Sequence, residues 1–165
     1  MAKMLMINYE KCTGCRQCEL VCSVQHEGVS NPSRSRINII KWEAEGLYIP
    51  IACQQCEDAP CMSICPMKAI SRDKALDYVK VDYDKCIGCR TCVTVCPFGA
   101  MSFDVIGKKI AKCDLCEGEP QCVRFCEVKA VDYIEADRQS LLKKRDAAFR
   151  QSLAQKKAST IEAEL

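Results

Sequence analysis

Short runs in which apolar residues alternate with polar ones are separated along this chain by turn-forming stretches. "INIIKW" (37–42) and "LYIPI" (47–51), joined across "EAEG", read as a β-hairpin. "YVKVDY" (78–83) is a further strand candidate, and "AMSFDV" (100–105) and "KKIAK" (108–112) flank Gly107. Four segments of the form C-x3-C return to the same helical face after about one turn, so each can start a short helix. From about Ile134 onward glycine, proline and cysteine disappear. The stretch "IEADRQSLLKKRDAAFRQSLAQKKAS" is rich in helix formers, with Leu142, Phe149 and Leu153 spaced for one face. It predicts a helical extension with a fraying tail. The pattern is that of an α+β protein of short hairpins and short helices over residues 1–134, with a helical extension over 135–165.

The segments between these elements hold the cysteines. All sixteen fall into four groups of four: Cys12, Cys15, Cys18 and Cys22; Cys53, Cys56, Cys61 and Cys65; Cys86, Cys89, Cys92 and Cys96; Cys113, Cys116, Cys122 and Cys126. The groups alternate in type. The first and third share "K-C-x-G-C-R-x-C-x-x-V-C"; the second and fourth share "C-x-x-C-E", a proline, C-x3-C and then "KA". This is an internal duplication, two tandem halves with one group of each kind.

Composition sharpens the picture. The apolar fraction of 48% falls to about 38% once the thiols are set aside, below the usual globular level. Bound cofactors can fill and cross-link such a core. The N-terminal "MAKMLMINYE" is too short in apolar residues for a signal peptide, and no stretch approaches the roughly 18 apolar residues of a membrane span. The expected location is therefore the cytoplasm, where clustered cysteines mean metal or redox chemistry more often than bridges. The net charge is +2 with neutral thiols. Four thiolates on a cube of charge +2 leave about −2 per site, so four sites bring the loaded protein to about −6. Nucleic acid is excluded as an obvious partner.

The spacing decides between metals. A disulfide framework gives no reason for four C-x2-C starts. Structural zinc favours pairs separated by a dozen or more residues, often with histidine, whereas His26 is the single histidine here. The run C-x2-C-x2-C-x3-C-P is the bacterial ferredoxin pattern, and "CIGCRTCVTVCP" matches it throughout. Its fourth cysteine lies about one helical turn, roughly 6 Å, beyond the third and so serves a different cube. Gly14 and Gly88 suit the tight turn between thiols, and Pro66 and Pro97 redirect the chain after the fourth cysteine. Ser23 and Glu127 stand in that place after the first and fourth groups. Wider loops follow the second cysteine in the second and fourth groups. These departures predict altered exposure and potential, with ligation kept. Lys11, Lys85, Arg16 and Arg90 flank the cysteines, either raising nearby potentials or forming a solvated rim. His26 and Trp42 read as packing or surface residues.

Over residues 1 to about 134 the chain resembles the four-cluster, ferredoxin-like electron-transfer subunits of molybdenum and tungsten pterin oxidoreductases. "NPSRSRI", "CQQCEDAPCMSICP" and "CDLCEGEPQCVRFC" look most like the small subunit of bacterial tungsten aldehyde oxidoreductases, with the benzoyl-CoA reductase subunit close behind. The resemblance implies two bacterial-ferredoxin-like modules and four 4Fe-4S clusters. Cluster one would be held by Cys12, Cys15, Cys18 and Cys126, and cluster two by Cys22, Cys113, Cys116 and Cys122. Cluster three would take Cys53, Cys56, Cys61 and Cys96, and cluster four Cys65, Cys86, Cys89 and Cys92. It further implies a non-catalytic relay from a tungsten- or molybdenum-pterin subunit to a FAD-containing, NAD-linked subunit or a soluble carrier. A benzoyl-CoA reductase-type complex and a free-standing polyferredoxin are the alternatives. The C-terminal helix is either packed on its own domain or an arm reaching a partner or another copy of the chain.

Overall fold

The computed structural model describes residues 3–135. In chain order the elements are β1 (Lys3–Ile7), α1 (Gln17–Glu27), β2 (Ile37–Trp42), β3 (Leu47–Ala52), α2 (Pro60–Ser63), β4 (Ile70–Asp73), β5 (Tyr78–Val81), α3 (Thr91–Val95), β6 (Met101–Asp104), β7 (Lys109–Lys112), α4 (Gln121–Arg124) and β8 (Val131–Glu135). The strands form four two-stranded antiparallel sheets: β1 with β8, β2 with β3, β4 with β5, and β6 with β7. No helix among the described residues is long and apolar enough to cross a membrane. The helical extension expected over 135–165 lies outside the described residues, except that Glu135 is the last residue of β8.

The expected hairpins are present. β2 and β3 pair from Ile37↔Ala52 to Trp42↔Leu47, with Ile37 and Ile39 facing the core. β6 and β7 pair across Gly107, with Met101 and Ile110 buried. Pro50 is tolerated in β3 because a two-stranded sheet consists only of edges. Two strand pairs go beyond the alternation in the sequence. β4 ("ISRD") is too polar to stand out, and it forms because Ile70 packs with Val79 of β5 in one core. β1 and β8 join opposite ends of the described chain, in register from Lys3↔Glu135 to Ile7↔Val131.

That pairing changes the meaning of the duplication. The repeat is tandem in sequence, but the packing is nested: α1 lies against α4 and α2 against α3. The outer core gathers Leu5, Cys18, Cys22, Ile37, Leu115, Cys122 and Val131; the inner core gathers Ala59, Cys61, Ile70, Val79, Cys92 and Ile110. Thiols thus take their place in both cores as small apolar groups.

Local chemistry sets the helix lengths. α3 stops at Val95, before Cys96 and Pro97, because proline disfavours helical conformation in the residue before it. Ser23 replaces that proline in the first group, and α1 runs on to Glu27, ending at Gly28 with φ +68°. Ser23 is fully buried; its hydroxyl donates to the Leu20 carbonyl at 2.8 Å and accepts from the Asn31 N–H at 3.0 Å. The extra turns carry Glu27 to Arg34 (2.8 Å) and Lys109 (2.9 Å), and Arg34 also holds Asp104 at 2.7 Å. This charged knot fastens the outer core to the β6–β7 hairpin. Glu19, also buried, accepts from the Ile39 N–H at 2.6 Å and joins α1 to β2.

Gly14 and Gly88 both adopt φ +68°, as the tight turn between thiols requires. Their surroundings differ. A Cβ on Gly14 would meet the Tyr48 ring at 2.6 Å, whereas on Gly88 the nearest atom is 3.6 Å away. Gly88→Ala is expected to cost about 1–2 kcal/mol from backbone strain alone. Gly14→Ala adds about 1–3 kcal/mol of overpacking. Thermal unfolding of the two variants side by side measures the difference, and Gly14→Ala should have the lower midpoint.

Four cysteine quartets as a candidate iron–sulfur site

Each group places two cysteines on a loop and the third near the start of a helix; the fourth lies within α1 (Cys22) or at or just beyond the ends of α2, α3 and α4 (Cys65, Cys96, Cys126). Arg16 and Arg90 precede α1 and α3 in the left-handed region, at φ 63° and 66°, which turns the loop back on itself. The fourth cysteine then faces a different group. Cys12, Cys15 and Cys18 line a small cavity whose remaining thiol is Cys126. Cys53, Cys56 and Cys61 line another together with Cys96. Cys86, Cys89 and Cys92 line a third together with Cys65. Cys22 lies near Cys113, Cys116 and Cys122 and helps to raise the pKa of all three thiols.

Burial dominates the electrostatics. It is the main cause that pushes Cys18 and Cys113 up to about 12 and Cys92 up to about 11, with neighbouring thiols adding to the rise; Cys122 is raised further still. Cys89 behaves oppositely. It is exposed, and the Thr91 hydroxyl and N–H hold its thiol below the ordinary value. The effects also cross between quartets: Cys18 bears on Cys122, Cys53 on Cys113, and Cys61 on Cys92. With α1 packed on α4, α2 on α3, and Gln55 and Lys112 both bonded to the Cys113 carbonyl between them, the four quartets are arranged in series, from Cys12, Cys15, Cys18 and Cys126 to Cys65, Cys86, Cys89 and Cys92.

Backbone donors point at the crossing thiols. Ala69 N–H lies 3.3 Å from Cys65 Sγ and Ala130 N–H 3.2 Å from Cys126 Sγ, each after a lysine with positive φ (Lys68 48°, Lys129 51°). That is the physical content of the repeated "KA". Arg36 N–H approaches Cys22 Sγ at 3.3 Å in the same manner. Such hydrogen bonds to sulfur are among the levers that set cluster potentials.

The donor set suits a cubane. It is all sulfur, four to a quartet, with walls mostly of Ile, Val, Pro, Ala and Met, to which Arg90, Gln54, Lys112, Thr13 and Gln17 add polar groups. The flanking cations form a rim: Lys85 pairs with Asp82 at 2.7 Å, Arg16 with Glu19, and Arg90 stacks on Phe103 at 3.8 Å from the ring centre. Trp42 is exposed, as expected. His26 is largely buried, as a packing residue is. Its Nε2 sits 3.6 Å from Cys116 Sγ and 3.4 Å from Asp114, and burial lowers its pKa. Ninety positions separate it from Cys116, so no local pattern could have flagged it.

Short hairpins and short helices that bring sixteen cysteines into quartets define a ferredoxin-like iron–sulfur protein. Family comparison agrees: a 4Fe-4S dicluster domain matches residues 44–137 and a 4Fe-4S binding domain matches residues 5–25. The chain belongs to the 4Fe-4S ferredoxin-like family of electron transport proteins. It is 40% identical over 132 residues to the polyferredoxin-like subunit of the aliphatic sulfonate oxidoreductase of Pyrococcus furiosus, covering 79% of this chain and 75% of that one. It is 37% identical to the electron transport protein HydN of Escherichia coli, covering 90% of this chain and 99% of the relative. Among solved structures, a chain of the active-site complex BamBC of benzoyl coenzyme A reductase is similar with 27% identity and a TM-score of 0.48, covering 80% of this chain and 75% of that chain.

Thiolates, not thiols, react with alkylating agents. In the metal-free chain Cys89 is therefore expected to be alkylated first, and Cys113 and Cys122 last. Timed labelling with peptide mapping reads the order; uniform labelling would contradict the burial described above.

Proposed function

We propose that the chain is a four-cluster electron relay within a pterin-dependent oxidoreductase complex. One observation supports the relay: three cavities are each lined by three cysteines of one group and the last cysteine of another. Cys12, Cys15, Cys18 and Cys126 hold cluster one, and Cys22, Cys113, Cys116 and Cys122 cluster two. Cys53, Cys56, Cys61 and Cys96 hold cluster three, and Cys65, Cys86, Cys89 and Cys92 cluster four. Bound 4Fe-4S clusters supply one-electron redox chemistry. The protein's residues supply spacing, exclude water and direct N–H groups at sulfur.

The two exposed thiols, Cys15 and Cys89, belong to the first and last quartets of the series. They mark the two ends at which electrons enter and leave. The catalytic partner in this reading is a tungstopterin subunit that oxidises aldehydes, favoured by "NPSRSRI" and the second and fourth cysteine groups. Electrons pass on to a flavin subunit or a soluble carrier. The Pyrococcus furiosus relative, described as a polyferredoxin-like subunit of an oxidoreductase, supports a role within a complex. A free carrier is the second reading, favoured by the relative described only as an electron transport protein.

Native anaerobic purification separates the two readings. A relay subunit elutes with a larger protein containing tungsten or molybdenum; a free carrier elutes alone. The crosswise ligation has its own test. Cys126→Ala should remove about four of about sixteen irons and abolish the cluster signal that Cys12→Ala also abolishes. If it instead abolishes the signal lost in Cys113→Ala, the assignment is wrong.

A further inference from the structure

Two cations are buried among the described residues, Arg36 and Lys112. Arg36 is neutralised by Asp114 at 2.6 Å. Lys112, at the end of β7 and 2% exposed, belongs to none of the ion pairs among the described residues. Its ammonium donates to three neutral acceptors instead: the Val79 carbonyl, the Cys113 carbonyl at 2.9 Å and the Gln55 side-chain carbonyl at 3.3 Å. An ammonium has three donors, so its hydrogen bonding is complete while its charge is not balanced. Gln55 is itself held on both sides. Its Oε1 accepts from the Val79 N–H at 2.9 Å and its Nε2 donates to the Cys113 carbonyl at 3.0 Å. The charge is anchored.

Its position is the junction of the outer and inner cores. Lys112 lines the cavity enclosed by Cys53, Cys56, Cys61 and Cys96, and it immediately precedes Cys113 of the adjacent quartet. It acts to lower the thiol pKa at both Cys61 and Cys113. An ammonium in such an interior needs a compensating anion. Four thiolates around a cube of charge +2 leave about −2 and provide it.

We infer that Lys112 is an internal cation that raises the reduction potential at this junction. Its effect falls most on the quartet Cys53, Cys56, Cys61 and Cys96, and less on Cys22, Cys113, Cys116 and Cys122. The inference rests on the reading of the quartets as cluster ligands. Each electron that arrives adds one negative charge beside the ammonium, and burial keeps salt from screening the attraction. The transfer moves one electron from one quartet to the next; one is oxidised as the other is reduced, no bond forms or breaks, and no proton moves. Lys112 is thus a positioning residue for charge at the middle of the series.

The test is a redox titration of the anaerobic, loaded protein followed by electron paramagnetic resonance, with iron and acid-labile sulfide measured on every sample. Lys112→Met should keep its iron, while reduction of one cluster becomes about tenfold less favourable, about 59 mV for one electron. A second cluster should shift less and the other two not at all. Lys112→Arg should titrate as the parent. Gln55→Glu, which sets a carboxylate against the ammonium, should reproduce the shift of Lys112→Met. Parental midpoints in Lys112→Met overturn the inference, as do parental midpoints in Gln55→Glu should the first variant lose iron. Iron loss from both overturns it too, since Lys112 is then structural. Fewer than about sixteen irons in the parent instead overturns the four-cluster reading.

Discussion

One helical turn carries the fourth cysteine of each group out of reach of the space its three companions surround, and the rest of the structure accommodates that fact. A cysteine displaced by a turn must find its companions elsewhere in the chain, so groups must be brought together in pairs. The pairs chosen are first with fourth and second with third, as the packing of α1 on α4 and α2 on α3 shows. The β1–β8 ladder then follows as the fastening of the outer pair, and the β4–β5 hairpin as the link within the inner pair. A tandem arrangement would have left both ends of the described chain unjoined.

The same constraint explains why so few ordinary apolar side chains suffice. Five of the buried core positions in the two clusters are cysteines, at Cys18, Cys22, Cys61, Cys92 and Cys122. Burial raises the thiols of Cys18, Cys61, Cys92 and Cys122 above the ordinary value, so in the metal-free chain these four contribute as small apolar groups. Metal loading would convert those contacts into covalent cross-links and release protons.

Much of this was legible in the residues, and the exceptions have physical causes. The β2–β3 and β6–β7 hairpins announce themselves by alternation, and the sixteen thiols by spacing. The strand β1 was hidden because "KMLMI" lacks polar alternation and its partner lies at the other end of the described chain. The length of α1 turned on a single substitution, Ser23 in place of proline, whose effect depends on the buried bonds its hydroxyl makes to Leu20 and Asn31. His26 and Lys112 were illegible for a different reason. A lone histidine and a lysine in a strand look like surface residues until tertiary packing shows what surrounds them.

The β1–β8 ladder also bears on how such a chain is made. A ribosome delivers Cys12, Cys15 and Cys18 early, yet Cys126 and the strand that seats it emerge more than a hundred residues later. The inner pair has all its cysteines once Cys96 has been made and its core once Ile110 has followed, so the outer pair is the last part of the described chain to be completed.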